Sequence, residues 1–255
     1  MNLHRLSRKE FLDLAHHNAD ELLSKIAAPD VLVVKEFYPP EEILELRRRV
    51  FESGLKGEPS WHPLYDNCPD YHRLHDNYAG AYVKSKMHAF YFHAWYKHNE
   101  RLFHSFDDIF VLKNKLGGYP NRAFLDNLPS QGFVARLTVH HYPRGGGGQC
   151  EHIDPAGPYA RIQTLVQAST WGIDYQEGGL YARKDLDSEK FFIDSYTQPG
   201  DLIVLSPDIP HGVAPVDPAA PYDWKTNHGR WIIIPLIVAS DYPNPDAVKP
   251  RQITA

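Results

Sequence analysis

The spacing of apolar positions changes along this chain, and the changes divide it. Between residues 8 and 27, Phe11, Leu12, Leu14, Ala15, Leu22, Leu23 and Ile26 recur near a 3.6-residue period, which places them on one side of a helix. Ser7 and Glu10 stand three apart at its start, the spacing at which a hydroxyl and a carboxylate cap a first turn reciprocally. Asn18 or Asp20 is expected to divide this helix in two. Residues 31–34 are a short β-branched run, hence a strand. A second helix is expected over 41–53, with Pro39 and Pro40 ahead of it and Gly54 ending it. Residues 55–80 mix Pro, Asp, Asn, His and Tyr without a period and are expected to be loop. Residues 81–116 are aromatic and basic; the expectation is a helical pair on a sheet, with a cap over a pocket as the sharper alternative.

From Phe133 the texture becomes that of strands. Segments 135–142, 162–170, 180–183, 191–194, 202–206 and 230–238 are short and rich in β-branched or aromatic residues. Gly178-Gly179 and Pro199-Gly200-Asp201 punctuate them. Many short strands with tight turns predict a sandwich or barrel. Pro235 inside the last strand predicts an edge or a bulge there. The glycine run 145–148 lacks the Lys-Ser/Thr that follows in a phosphate loop, so it is expected to be a flexible turn. The architecture expected is mainly β with N-terminal helices (α+β), in one domain over 1–255. Residues 1–130 would form a helical and loop support or cap, 131–240 the core, and 241–255 a tail.

Composition narrows the function classes. The chain has 255 residues, 23% of them charged and 42% hydrophobic, with net charge −5. No basic bias favours nucleic acid or an anionic membrane surface, so neither is expected as a partner. No apolar run approaches the roughly 18 residues of a membrane helix. The start carries Arg5, Arg8, Lys9 and Glu10 without an apolar run, so no signal peptide is expected. Two cysteines, Cys68 and Cys150, argue against a disulfide framework and fit a reducing cytoplasm. A homodimer is left open. The 15 histidines exceed what a mononuclear site uses, so most must be structural or surface groups.

The chemistry concentrates at Glu151-His152-Ile153-Asp154. In an extended chain residues i and i+2 point the same way, so His152 and Asp154 can grip one metal ion from one side. A third ligand must come from elsewhere, and His211, 59 residues on from His152, leads; Cys150 and His228 are rivals. Two His and one carboxylate with the opposite face open is the arrangement of non-haem Fe(II) oxygenases. Arg230, 19 residues after His211, opens an apolar strand, where an unpaired charge would be costly; Lys225 is a rival basic anchor.

Several motifs occur in one order: Leu137-Thr138-Val139-His140-His141-Tyr142, His152-Ile153-Asp154, Thr164-Leu165, Glu177-Gly178-Gly179-Leu180, the stretch from Pro199 to Leu205, His211-Gly212-Val213-Ala214-Pro215-Val216, and Gly229-Arg230. This order resembles the Fe(II)- and 2-oxoglutarate-dependent dioxygenases, in their prolyl-hydroxylase-like and phytanoyl-CoA-hydroxylase-like branches, over roughly residues 133–238. The resemblance implies a double-stranded β-helix (jelly roll, cupin-like) core. It implies a metal triad of His152, Asp154 and His211, with Fe(II), 2-oxoglutarate and O2 as cofactors and cosubstrates. Arg230 would pair with the far carboxylate of 2-oxoglutarate, and Tyr142 and Thr164 would add hydroxyls to it. The implied reaction is hydroxylation of an unactivated C–H of a small molecule, an amino acid or natural-product intermediate, releasing succinate and CO2. Related halogenases replace the carboxylate ligand by Gly or Ala, and Asp154 is retained here. Desaturation or cyclisation with the same cofactors, and a non-catalytic cupin-like metal protein or sensor, are the alternatives. The loop 217–229, longer than usual, and the aromatic segment 88–110 are the expected substrate-facing pieces.

Overall fold

The computed structural model describes residues 1–27, 29–244 and 249–253. The chain begins with a short strand, β1 (Leu3–Ser7), and two helices, α1 (Arg8–His17) and α2 (Ala19–Lys25). Ser7 and Glu10 form the expected capping box, and Asn18 ends α1 and caps α2. β2 (Val31–Lys35) follows, then α3 (Pro40–Lys56) with its proline in the first turn, where a missing N–H costs nothing. Gly54 does not end this helix; Gly57 does. A Cβ on Gly54 would stand 2.6 Å from the Phe90 ring, so this glycine lets the helix lie close on the sheet.

Two further expectations fail in the middle of the chain. Within the supposed loop 55–80 lies β3 (Tyr71–Asp76), and within the supposed helical pair lies β4 (Ser85–His93). Helices α4 (Glu100–His104) and α5 (Asp107–Leu116) occupy the remainder. Most of β4 is buried on both faces, so its aromatic run carries no period-2 signal.

Nine strands follow: β5 (Phe133–Pro143), β6 (Gly147–Ile153), β7 (Gln163–Gln167), β8 (Gly179–Ala182), β9 (Phe191–Phe192), β10 (Leu202–Leu205), β11 (His211–Val216), β12 (Gly229–Ala239) and β13 (Arg251–Gln252). Among the described residues all thirteen strands join one sheet, in the order β1-β2-β10-β7-β12-β5-β4-β6-β11-β8-β9, with β3 beside β4 and β13 beside β6. The pair β1–β2 is parallel and the other named strand pairs are antiparallel. The expected tail therefore returns to the sheet through β13, while residues 245–248 and 254–255 lie outside the described residues. The glycine turn is ordered by Gly145 and Gly146, whose N–H groups donate to the Asp217 and Val216 carbonyls.

This is a mainly β jelly roll with helices on one side. Strand alternation sorts its side chains into two cores. Leu32, Val34, Leu137, Val139, Val166, Trp231 and Ile233 face the helices, with Phe106, Ile109 and Phe110. Val31, Ile203, Leu205, Ile232 and Ile234 face the inside of the roll, with Met87, Leu180 and Val213. Pro235 pairs with Leu137 of β5, but β7 pairs with β12 only at Ile232 and Ile233. On that side Pro235 lies at an unpaired edge, as its missing N–H requires. No helix among the described residues is long and apolar enough to cross a membrane.

Candidate metal centre and cavity

Three ligand atoms meet on the inner side of the roll. His152 on β6 pairs directly with His211, the first residue of β11, and directly paired residues of antiparallel strands project to one face. Asp154 follows the end of β6, fixed by its N–H donating to the Pro207 carbonyl at 3.2 Å. His152 Nε2 lies 3.5 Å from Asp154 Oδ1, and His211 Nε2 lies 3.4 Å from Asp154 Oδ2. All three ligand atoms fall within 4.8 Å of one another.

The ring orientations are set from behind. His152 Nδ1 faces the Cys150 carbonyl at 3.0 Å, and His211 Nδ1 faces the Ile209 carbonyl at 2.9 Å. A carbonyl only accepts, so each Nδ1 carries a hydrogen and each Nε2 is the nitrogen left facing Asp154, where it can hold either a proton or a metal ion. Burial alone would raise the Asp154 carboxyl; the charges and hydrogen bonds of His211 and His152 outweigh it and hold the group far below the usual carboxylate range. Burial works against a proton on His211, and Asp154 overcomes this, pushing its pKa up. The pull that would hold a proton between these groups would hold a metal cation better. Two imidazole nitrogens and one carboxylate are a fitting donor set for ferrous iron. Cys150 is exposed and is not part of this cluster.

A second polar centre lies where β12 meets β5. Arg230 pairs with Tyr142 across the strands, and both are buried. Arg230 Nε donates to Asp194 Oδ2 at 2.7 Å and Nη2 to Oδ1 at 3.2 Å. Asp194 Oδ2 also accepts from the Tyr175 hydroxyl at 2.6 Å and from the Leu180 N–H at 2.7 Å. Burial would lower the Arg230 pKa, but the Asp194 charge keeps it above its ordinary value. The fork toward Asp194 leaves Nη1 without a hydrogen bond among the described residues, so donors remain for a second anion. Gly179 has φ +99°, and a Cβ there would stand 2.3 Å from Asp194 Oδ2. The second glycine of the Gly178-Gly179 turn thus makes room for the carboxylate that holds Arg230. Tyr142 donates its hydroxyl to Gln149 Oε1 at 2.9 Å, with its ring 5.7 Å from Arg230 Cζ.

Both centres open into one cavity of about 580 Å³, within the usual range for small-ligand sites. His152, Asp154, His211, Arg230 and Tyr142 line it, and Thr164 does not. Its neighbours Gln163 and Leu165 face the cavity, while Thr164 shares the helix side of β7 with Val166, buried and with Oγ1 unpartnered. The loop 217–229, with Lys225 and His228, also lies away from the cavity. Arg47 of α3 binds the Asn227 carbonyl and side chain, and Trp231 Nε1 donates to the same carbonyl, tying the loop to the helix side. Of the aromatic segment 88–110, Tyr91 lines the cavity, whereas Phe103, Phe106 and Phe110 belong to the helix-side core.

Several residues of the two centres and the cavity have no role in the motif reading. Asp194 is one, a lone acid just past a two-residue strand. Gln149 is another, inside the glycine-rich stretch. On β5, Arg136, Thr138 and His140 stand at alternate positions before Tyr142 and face inward. A polar row interleaved with Ala135, Leu137 and Val139 is the signal that could have found them. Burial, with His75 and Arg136 nearby, pushes His140 down to about 3, so the ring is neutral.

No protein-family model and no curated protein sequence matches the chain. Solved structures do match by shape. A prolyl-4-hydroxylase of Pseudomonas putida is 12% identical with a TM-score of 0.53, covering 85% of this chain and 96% of its own. A prolyl hydroxylase from Trichoplax adhaerens, in complex with a hypoxia inducible factor peptide fragment, is 16% identical with a TM-score of 0.54, covering 91% of both chains. A full-length Neurospora crassa protein, in complex with alpha-KG and 5-formyluracil, is 14% identical with a TM-score of 0.55, covering 95% of this chain and 87% of its own. At these identities the likeness is one of fold: the chain shares its jelly roll with these three structures.

Proposed function

We propose that the protein is an Fe(II)- and 2-oxoglutarate-dependent oxygenase that hydroxylates an unactivated C–H bond of a small molecule, with release of succinate and CO2. The observation that carries this reading is the convergence of His152, Asp154 and His211 inside a jelly roll whose cavity also holds the buried Arg230. The three side chains would hold the metal through two nitrogens and one carboxylate. Iron with its keto-acid cosubstrate supplies O2 activation when bound. The chain's own part is binding and exclusion of water. Arg230 would grip the far carboxylate of 2-oxoglutarate with the donors Asp194 leaves free, and its planar fork suits that partner. Tyr142 stands beside it and would add a hydroxyl. The apolar walls, Ile232, Ile234, Leu165 and Leu180 among them, keep water from the reacting centre. The alpha-KG bound by one neighbour supports the cosubstrate, and the neighbours' other ligands, a peptide fragment and 5-formyluracil, belong to those proteins.

The test is direct. Anaerobic addition of Fe(II) and 2-oxoglutarate is expected to give the weak visible charge-transfer band of a chelated keto acid. His152→Ala and Asp154→Ala are expected to abolish both the band and substrate-dependent succinate formation. Tight Zn(II) binding without the band would instead favour a non-catalytic metal protein, and undiminished turnover in both variants would remove the assignment.

A further inference from the structure

The charges around the cavity do not balance. Its charged lining residues are Arg73, Arg136, Asp154, Arg230, Asp241 and Lys249. Arg230 is neutralised by Asp194, and Lys249 stands 3.6 Å from Asp241. Asp154 belongs to the metal cluster. Arg73 and Arg136 remain, and neither has a carboxylate partner or a hydrogen bond among the described residues. Their guanidinium groups rest on aromatic faces instead. Arg136 Cζ lies 4.7 Å from the Tyr91 ring centre, and Arg73 Cζ lies 4.7 Å from Tyr78 and 5.8 Å from Trp61. Two uncompensated cations in the cavity of a chain whose net charge is −5 call for a ligand.

Further observations point the same way. Arg136 Nε is shielded from solvent with no hydrogen-bond partner, and so is the Thr138 hydroxyl two residues along β5. Thr138 is 1% exposed and lines the cavity. A buried donor left unmade is costly, and one on a charged group more so. Arg136 pairs across β12 with Leu236 and Tyr142 with Arg230, so Arg136 sits about 20 Å along the strand from the Arg230 end, at roughly 3.3 Å per residue. One 2-oxoglutarate cannot occupy both. Tyr91, Tyr71, Tyr78 and Trp61 supply flat apolar surface beside the two cations.

We propose that Arg136, assisted by Arg73 and Thr138, is the recognition site for an anionic group on the substrate. The substrate class is then a small acid, carboxylate or phosphate, with a flat or apolar body that lies against the tyrosines. This deepens the oxygenase reading and rests on it for the word substrate, while the anion site itself does not need the metal.

The experiment uses matched ligands on three bodies, phenylpropyl, indolylpropyl and heptyl, each prepared as carboxylate, phosphate monoester and neutral amide. Binding is read by calorimetry on the anaerobic Fe(II)- and 2-oxoglutarate-loaded protein and again on metal-free protein. At least one acid is expected to bind about tenfold or more tighter than its amide, the worth of a charge-assisted hydrogen bond. The carboxylate and phosphate arms decide which anion is taken. Arg136→Gln is expected to remove the preference and Arg136→Lys to restore part of it, with 2-oxoglutarate affinity unchanged in both. Acids and amides binding alike on every body, or no binding by any acid, overturns the proposal. So does an Arg136→Gln variant that loses 2-oxoglutarate instead. If the iron reading alone fails, the charge-transfer band is missing while the acid preference persists in metal-free protein.

Discussion

At the scale of single residues, Asp194 controls more than its position in the sequence suggests. Four donors converge on its carboxylate: Arg230 Nε and Nη2, the Tyr175 hydroxyl and the Leu180 N–H. Replacing one partner of a buried pair leaves the other charge uncompensated. Asp194→Asn is therefore expected to cost about 3–5 kcal/mol in urea unfolding. It should also weaken 2-oxoglutarate binding in calorimetry, because Arg230 is no longer held in place. A variant with unchanged stability would show that water or another group replaces the carboxylate. The two ends of the site differ in how they could be read. His152, Asp154, His211 and Arg230 stood out because chemically distinctive side chains sit next to strand signals. Asp194 did not, since its partner is 36 residues away and only the fold joins them. The resemblance places Thr164 in the site, yet it faces the helices. Which face of a short strand is inward depends on register, and a shift of one residue reverses it.

At the scale of elements, the helices were the most legible. The capping box at Ser7 and the break at Asn18 are local chemistry and are found where local chemistry puts them. β3 and β4 were not legible, because pairing across the sheet rather than local pattern makes them strands. Gly54 shows the limit in one residue: it looked like a helix terminator and is instead a contact point. Alanine there would gain about 1 kcal/mol in helix propensity and lose about 1–3 kcal/mol to crowding. The Phe90 ring it would meet is stacked on His72 at 4.3 Å and faces Trp231 at 6.2 Å, so it has little room to yield. Gly54→Ala is accordingly expected to lower the urea midpoint, and a raised midpoint would show that the ring moves freely.

At the scale of the whole molecule, the many histidines give stability a pH dependence. His72, His88 and His141 lie on the helix side of β3, β4 and β5, and stack on one another. Burial lowers His72 to about 4 and His88 to about 3. Burial, with His88 next, takes His141 well below its ordinary value. An unfolded chain binds these protons near pH 6.5, at the ordinary imidazole value, whereas the folded chain does not. Their contribution is thus fully present above about pH 6.5 and is lost as pH falls toward 4 and 3. His211, whose pKa is raised, acts in the opposite sense, but burial lowers His75, His93 and His140 as well. The urea midpoint is expected to fall between pH 7.5 and pH 5, and a flat profile over that window would show that these rings take up protons without unfolding.

The seating of β2 bears on how the chain is made. Residues 31–34 are all buried. One edge of β2 is covered by β1, and the other is closed by β10, where Leu202 pairs with Val34. A ribosome delivers that second partner about 170 residues later, some 10 to 30 s at usual elongation rates. During that interval a sticky apolar strand is held out on a growing chain with one edge open. Until then β1 is the partner of β2 within the sheet, and a chain paused before Leu202 is expected to offer the other edge of β2 to its neighbours on the same messenger.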